Sequence, residues 1–393
     1  MFNDEMLSLG CKRSAIRELF EYGKQRAAEV GADKVYDFSL GNPSVPAPAQ
    51  VKEAMLRLIN TLDDKTLHGY TSAQGDLSVR SAVADSLNKK YGVSFGADDI
   101  YMTCGAAAGL AITLRALCNA GDEVVLLAPY FPEYGVFVKA AGATPVTVKF
   151  DGDFQIDFAS LEEAINQKTK AIIVNSPNNP CGVIYSEKTL KKLGEMLTER
   201  ATLYGHPLFI IADEPYRELV YDGENVPFIP TIYGDTVVCY SFSKSLSLPG
   251  ERIGYIAVNP ECNGARELYF AILGAGRALG YVCAPSLFQR VAAKCIDARP
   301  DLKTYDENRT LLYNSLCKIG FECVHPKGAF YLFVKAPNGD AAAFSEAAKK
   351  HGLLIVSGDD FAAPEWVRIA YCVSKDTILK SLPSFEKLYS EFV

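Results

Sequence analysis

At 393 residues the chain exceeds what one hydrophobic core ordinarily supports, so two domains are expected. Hydrophobic residues make up 49% and charged residues 22%, the composition of a globular enzyme rather than of a disordered or fibrous chain. A formal charge of -7 without a basic stripe argues against a nucleic-acid partner, and no apolar run approaches the roughly 20 residues that span a bilayer. The first residues, Met1 to Met6, are acidic and lack a signal-peptide core. The eleven cysteines are scattered and form no Cys-x-x-Cys pair, which points to reduced thiols in a cytoplasmic protein. His68, His206, His325 and His351 have no metal-ligand spacing, so no metal is expected.

In chain order, Ile16 to Val30 reads as an amphipathic helix with Ile16, Leu19, Phe20, Gly23 and Ala27 on one face. Pro43, Pro46 and Pro48 then impose an extended linker. Val51 to Leu62 and Leu77 to Tyr91 read as helices. Seven short β-rich runs follow: Ile100 to Thr103, Glu123 to Leu127, Thr144 to Val148, Ala171 to Val174, Leu208 to Ala212, Thr236 to Tyr240 and Ile253 to Ala257. Helix-length stretches such as Gly105 to Ala120 and Ser186 to Tyr204 separate most of them. Continuous apolar strands alternating with helices predict an α/β architecture, a mostly parallel sheet covered on both faces. After about residue 286 the pattern changes to longer helices plus a strand over Ala329 to Val334. We therefore expect a large domain over 46–285 and a smaller α+β domain formed by 1–45 and 286–393.

Ligands of such sheets gather outside the carboxyl ends of the strands, and here those ends are polar. Thr103 opens into Gly105, Ala106 and Ala107 at a helix start, where small residues let backbone N–H groups approach a phosphate; tight packing alone would also use them. Asn179 follows the fourth run among prolines, either as a turn residue or as a hydrogen-bond donor to a ring oxygen. Asp213 leaves the fifth run as a carboxylate that needs a partner, a helix N-cap or a protonated pyridine nitrogen. Ser241, Ser243 and Lys244 follow the sixth run, with Arg252 eight residues beyond Lys244. A desolvated lysine has a lowered pKa and can form a Schiff base, and two hydroxyls with a guanidinium suit a phosphate. Phe131, beside Tyr130 and Pro132, is a core aromatic or a stacking platform. Arg368, inside an apolar strand, calls for a carboxylate, from the protein or from a ligand.

Jointly these residues resemble one family, the class I/II aminotransferases of the fold-type I pyridoxal phosphate enzymes, the aspartate aminotransferase-like group. The similarity runs from about Ser39 to Tyr371 through Gly41, Asn42 and Pro43; Tyr70, Thr71, Gly75 and Arg80; Gly105 to Ala107; Pro129 and Tyr134; Asn175, Asn179, Pro180 and Gly182; Asp213, Glu214 and Tyr216; Ser241, Ser243 and Lys244; Arg252; Pro326 and Gly328; and Arg368. The resemblance implies a seven-stranded large domain, pyridoxal 5'-phosphate as cofactor, and amino-group transfer between an L-amino acid and a 2-oxo acid. It implies that Lys244 carries the cofactor and shuttles the proton, that Asp213 pairs with the ring nitrogen, and that Asn179 and Tyr216 donate to the ring hydroxyl. Phe131 would stack on the ring. Ser241, Ser243, Arg252 and the backbone at Gly105, Ala106 and Ala107 would form the phosphate cup, completed by Tyr70 of a second subunit in a homodimer with shared sites. Arg368 would clamp the substrate α-carboxylate, with Asn42 in the segment closing over it.

The chain departs from the family's aspartate-specific branches. It has Ala107 where one branch carries a lysine for the distal carboxylate, and Arg277 stands out of register with the arginine of another. Aromatic, branched-chain or neutral donors stay open. A carbon–sulfur β-lyase on the same scaffold would keep Lys244, Asp213 and Arg368 and is the alternative activity. A non-catalytic cofactor-sensing regulator is disfavoured, since such modules carry several dozen DNA-binding residues first.

Overall fold

The computed structural model describes residues 2–11 and 15–393. Its central element is a seven-stranded sheet: β1 (Ile100–Thr103), β2 (Glu123–Leu127), β3 (Thr144–Val148), β4 (Thr169–Asn175), β5 (Phe209–Asp213), β6 (Thr236–Ser241) and β7 (Gly254–Val258). The strand order is β1-β7-β6-β5-β4-β2-β3, and only β7 runs antiparallel to its neighbours. Alternate residues serve opposite layers. In β5, Ile210 and Ala212 pack with Leu193 and Leu197, whereas Phe209 and Ile211 pack with Leu110 and Ile112. Burial on both faces explains why these strands read as unbroken apolar runs.

The polar residues at the strand exits belong to the ladder itself. Asn175 pairs with Asp213, and Asp213 with Cys239, so β4 and β5 each extend one residue beyond the apolar run. Beyond Ser241 the chain turns into a single helical turn, Phe242–Ser245, which carries Lys244. The Ser241 side chain caps that turn, accepting from Ser243 N at 3.2 Å.

A second, antiparallel sheet lies beside the first: β8 (Cys323–Val324), β9 (Tyr331–Lys335), β10 (Val356–Ser357) and β11 (Trp366–Ala370), in the order β10-β11-β9-β8. In β11, Arg368 stands opposite Phe333 and Val356. The N-terminal segment joins this unit through a short parallel pairing of Tyr36–Asp37 with Leu353–Leu354. The helix Ala15–Val30 seats Leu19 against Leu354, Val356 and Phe361. A Cβ on Gly23 would come within 2.5 Å of Leu354 Cδ1, so a larger residue there would have to displace that buried side chain.

The division at 285/286 expected from sequence is crossed in two places. The helix Ser286–Lys294 places Val291 and Ala292 in the core that holds Val51 and Leu58 of the large unit. Tyr216, Leu219 and Tyr221, which follow β5, enter the core of the smaller unit with Phe330 and Leu332. Met1 and residues 12–14 of the expected N-terminal unit lie outside the described residues. Among those described, no helix is long and apolar enough to cross a membrane, and no group of His, Cys, Asp or Glu is placed to hold a metal ion.

Candidate active site

The carboxyl ends of the parallel strands open into one cavity of about 480 Å³, closed on the other side by Leu40, Gly41, Tyr331 and Arg368. Lys244 lines it. Its Nζ donates to Gly41 O at 2.6 Å, and Phe330 presents a ring face 5.3 Å away. Burial lowers its pKa to about 8, with Arg252 and Arg368 pushing the same way and Cys372 opposing them. A Cβ on Gly41 would land on the Tyr331 hydroxyl, so the loop that meets Lys244 requires glycine there.

At one end of the cavity the donors suit an anion. The helix Ala106–Leu117 begins there without a side-chain cap, leaving its first N–H groups free to bind. Gly105 precedes it at φ 83°, and a Cβ on Gly105 would come within 2.7 Å of Arg252 Nη2. Ser241 and Ser243 share a hydrogen bond of 2.8 Å, and Arg252 Nη1 donates to Ser243 Oγ at 3.3 Å and to Pro249 O at 2.9 Å. Arg252 holds φ 51°, a left-handed conformation that is costly for a residue with a side chain and typical of ligand clamps.

Deeper in the cavity, Asp213 is buried, and burial raises its pKa to about 7, with Glu214 adding to the rise. Oδ2 accepts from Tyr134 Oη at 2.5 Å, which opposes that rise, while Oδ1 has no partner. No helix follows β5, so the N-cap alternative for Asp213 is not realised. The Asn175 side chain donates to Asp213 O at 2.8 Å and accepts from Asn179 N at 2.8 Å, linking the two strand exits. Arg368 is 1% exposed. Its Nη1 donates to Asn179 Oδ1 at 3.0 Å and its Nη2 to Ser39 O at 2.5 Å, but Nε has no partner. Among the described residues no carboxylate pairs with it; Tyr331 and Phe361 flank it at 4.6 and 5.1 Å. Tyr216 and Tyr331 share a hydrogen bond of 2.9 Å between their hydroxyls.

A family model described as aminotransferase class I and II matches residues 33–382 of the chain. The chain belongs to that family. It is similar to a probable aspartate aminotransferase of Methanocaldococcus jannaschii, 29% identical over 98% of this chain and all of the relative. It is also similar to aromatic-amino-acid aminotransferase 2 of Thermococcus litoralis, 28% identical over 96% of each chain. The crystal structure of an aminotransferase from Eubacterium rectale superposes with a TM-score of 0.98 at 56% identity, covering 100% of this chain and 99% of that one. The chain is thus a pyridoxal phosphate-dependent aminotransferase of the fold-type I architecture, acting on amino acids and 2-oxo acids. None of these comparisons supports the β-lyase alternative.

The aminotransferase cavity fits pyridoxal phosphate on its own chemistry. A buried carboxylate with an unpartnered oxygen suits a ring cation, and the donors about Gly105 suit a dianion. Of the residues singled out from sequence, Ala106, Ala107, Phe131, Asn179, Asp213, Tyr216, Ser241, Ser243, Lys244, Arg252 and Arg368 line this space, and Gly105 backs Arg252. Asn42 does not line it; that residue is exposed, and its neighbours Leu40 and Gly41 reach the cavity instead. Tyr70, 93% exposed, lies outside the cavity of its own chain, as does Arg277, exposed near the end of the helix Ala265–Ala278.

Several aminotransferase residues had no sequence signal of their own: Tyr331, Ser39 and Arg17 reach the site through folding alone, and Tyr134 was visible only as a motif member. Glu214, next to Asp213, turns to a separate buried cluster. Its Oε2 lies 2.7 Å from Arg217 Nη1, and Arg217 packs over Tyr240 at 4.5 Å and donates to Tyr255 Oη at 2.7 Å. Tyr240 Oη in turn donates to Ser245 Oγ at 2.8 Å, so this cluster ties the strand bearing Asp213 to the turn bearing Lys244.

Proposed function

We propose that the protein works as a cytoplasmic homodimer and that the cavity residues divide the transamination chemistry among them. The observation that carries this reading is the meeting, in one space, of a half-buried lysine of pKa about 8, a buried carboxylate with a free oxygen and a buried arginine without a carboxylate. Pyridoxal phosphate, when bound, supplies an aldehyde that accepts the amino group and a protonated ring that draws off electron density from the substrate α-carbon. Ser241, Ser243, Arg252 and the N–H groups of Ala106 and Ala107 hold the phosphate. Asp213 Oδ1 holds the proton on the ring nitrogen, and Tyr134 keeps the carboxylate oriented. Asn179 and Tyr216 donate to the ring hydroxyl, and Phe131 covers the ring and excludes water. Lys244 Nζ removes the proton from the substrate α-carbon and returns it, which requires a neutral amine with a pKa near the working pH.

Arg368 binds the substrate α-carboxylate in a fork, its plane set by Asn179 and Ser39. Arg368→Lys is expected to lower kcat/KM for every amino acid, by about 10- to 150-fold, because a lysine loses one of two charge-assisted hydrogen bonds. Steady-state kinetics over acidic, aromatic and small neutral donors would check this; a loss confined to dicarboxylic donors would assign the residue to the side chain instead.

Relatives named for aspartate and for aromatic amino acids put those donors first. Mixing holoenzyme with single L-amino acids and following the cofactor spectrum tests the whole reading. Stoichiometric 2-oxo acid supports it, whereas release of a thiol and ammonia with an unchanged cofactor would favour the lyase. Free thiols at all eleven cysteines support the cytoplasmic placement.

The dimer reading is supported by Tyr70. Its segment meets residues 281–290 at β1: Gln74 O accepts from Met102 N at 2.9 Å, Tyr281 O accepts from Tyr101 Oη at 3.0 Å, and Gln289 Nε2 donates to Thr71 Oγ1 at 3.2 Å. Tyr70, Tyr281 and Val282 are exposed there as an apolar face. Tyr70→Phe is expected to raise the cofactor Kd about tenfold or more, the worth of one charge-assisted hydrogen bond. At limiting cofactor, mixing Tyr70→Phe with Lys244→Ala subunits should restore one native site per hybrid dimer. No gain on mixing, or a fully active monomer in sedimentation, would overturn the shared site.

A further inference from the structure

Among the described residues four cations line the active-site cavity: Arg17, Lys244, Arg252 and Arg368. Three are engaged. Lys244 donates to Gly41 O, Arg252 to Ser243 and Pro249, and Arg368 to Asn179 and Ser39. Arg17 is exposed and has no ion-pair or hydrogen-bond partner among the described residues. It stands at the start of the helix Ala15–Val30, which is fixed to the second sheet through Leu19. That anchorage holds Arg17 and Ile16 at the cavity although they lie far from the strand exits in sequence.

The position of Arg17 bears on substrate choice. A substrate held by its α-carboxylate on Arg368 and by its amino group near Lys244 has only its side chain left to reach the rest of the cavity. The wall there is apolar, with Ile16, Leu40 and Phe131, and Arg17 interrupts it. A terminal carboxylate would meet the guanidinium in a fork, a charge-assisted pairing that an apolar side chain cannot make. Glu133 also lines the cavity and repels an incoming carboxylate, so among the described residues Arg17 is the side chain left to attract one. We propose that Arg17 reads the far end of the substrate side chain and selects L-amino acids ending in a second carboxylate, of the aspartate and glutamate type. This rests on the reading that Arg368 holds the α-carboxylate.

The test is Arg17→Met in the holoenzyme, with Arg17→Lys beside it. The ratio of kcat/KM for aspartate over alanine should fall about 10- to 100-fold in Arg17→Met, mainly through KM, because the contact is remote from the reacting carbon. Arg17→Lys should keep part of the preference. Calorimetric titration supplies a second readout: wild-type protein should bind succinate more tightly than butanoate, and Arg17→Met should bind the two alike. Parallel losses for aspartate and alanine, or an unchanged ratio together with an unchanged succinate preference, would overturn the assignment while leaving the aminotransferase reading intact. A holoenzyme that converts no amino acid at all would remove that reading, and this proposal with it.

Discussion

Lys244→Ala is expected to cut turnover by more than about 10²–10⁴-fold, the worth of one acid–base catalyst, with loss of the covalent attachment adding to it. Cofactor binding should survive, because Ser241, Ser243 and Arg252 bond to one another and to Pro249 O without help from Lys244 Nζ. Single-turnover absorbance and equilibrium dialysis separate the two effects. Borohydride reduction of the wild-type holoenzyme should leave the cofactor on the Lys244 peptide, and an adduct on another lysine would remove the assignment. The same residue makes a pH prediction for the cofactor-free protein. Its pKa falls from the ordinary 10.5 to about 8 on folding. Between those values the unfolded chain binds more protons, so stability rises with pH across that window, and the buried charge costs most below pH 8. Lys244→Met should therefore stabilise the cofactor-free protein below pH 8 by up to about 3 kcal/mol, offset in part by the lost bond to Gly41 O. The gain should vanish above pH 10.5; a gain independent of pH would mean that burial is not the cause.

Asp213→Ala should weaken cofactor binding by about 3–5 kcal/mol, the cost of breaking a buried ion pair from one side, and should lower turnover further still. The carboxylate is already strained by burial, with its pKa raised to about 7. A cation at Oδ1 would reverse that shift, so cofactor and carboxylate stabilise each other. Asp213→Asn keeps the shape and a partner for Tyr134 but removes the charge, and it should retain more affinity than alanine while losing comparable turnover. Either variant with near-normal kcat would refute the pairing.

The chain's sequence alone determined which polar strand exits would face one cavity. Parallel strands buried on both faces must be short apolar runs, and their exits are the first places where polar groups can stand. The cavity residues Asn179, Asp213, Lys244, Ser241, Ser243 and Arg252 were therefore legible from the runs they follow, and Arg368 from its intrusion into an apolar strand. The helix over Leu77–Tyr91 was equally legible, because the capping Asp76 and the glycine at 92 bound it.

Tertiary structure alone decided which distant groups meet those residues. Tyr134 reaches Asp213 across 79 positions, and Ser39 O reaches Arg368 across 329. No local period encodes such contacts, since they depend on the strand order and on how the second sheet closes over the first. Asn42 shows the same limit from the other side. The loop reaches the cavity through Leu40 and Gly41, while Asn42 does not line it and stands in solvent. The helix Ser286–Lys294 and the segment after β5 pack into different cores from those their chain positions suggested, because apolar faces are buried by whichever surface lies nearest in space. Arg17 comes to the cavity for that reason too: the apolar face of its helix, through Leu19, finds Leu354 and Phe361, and Arg17 is carried to the cavity by packing rather than by any motif.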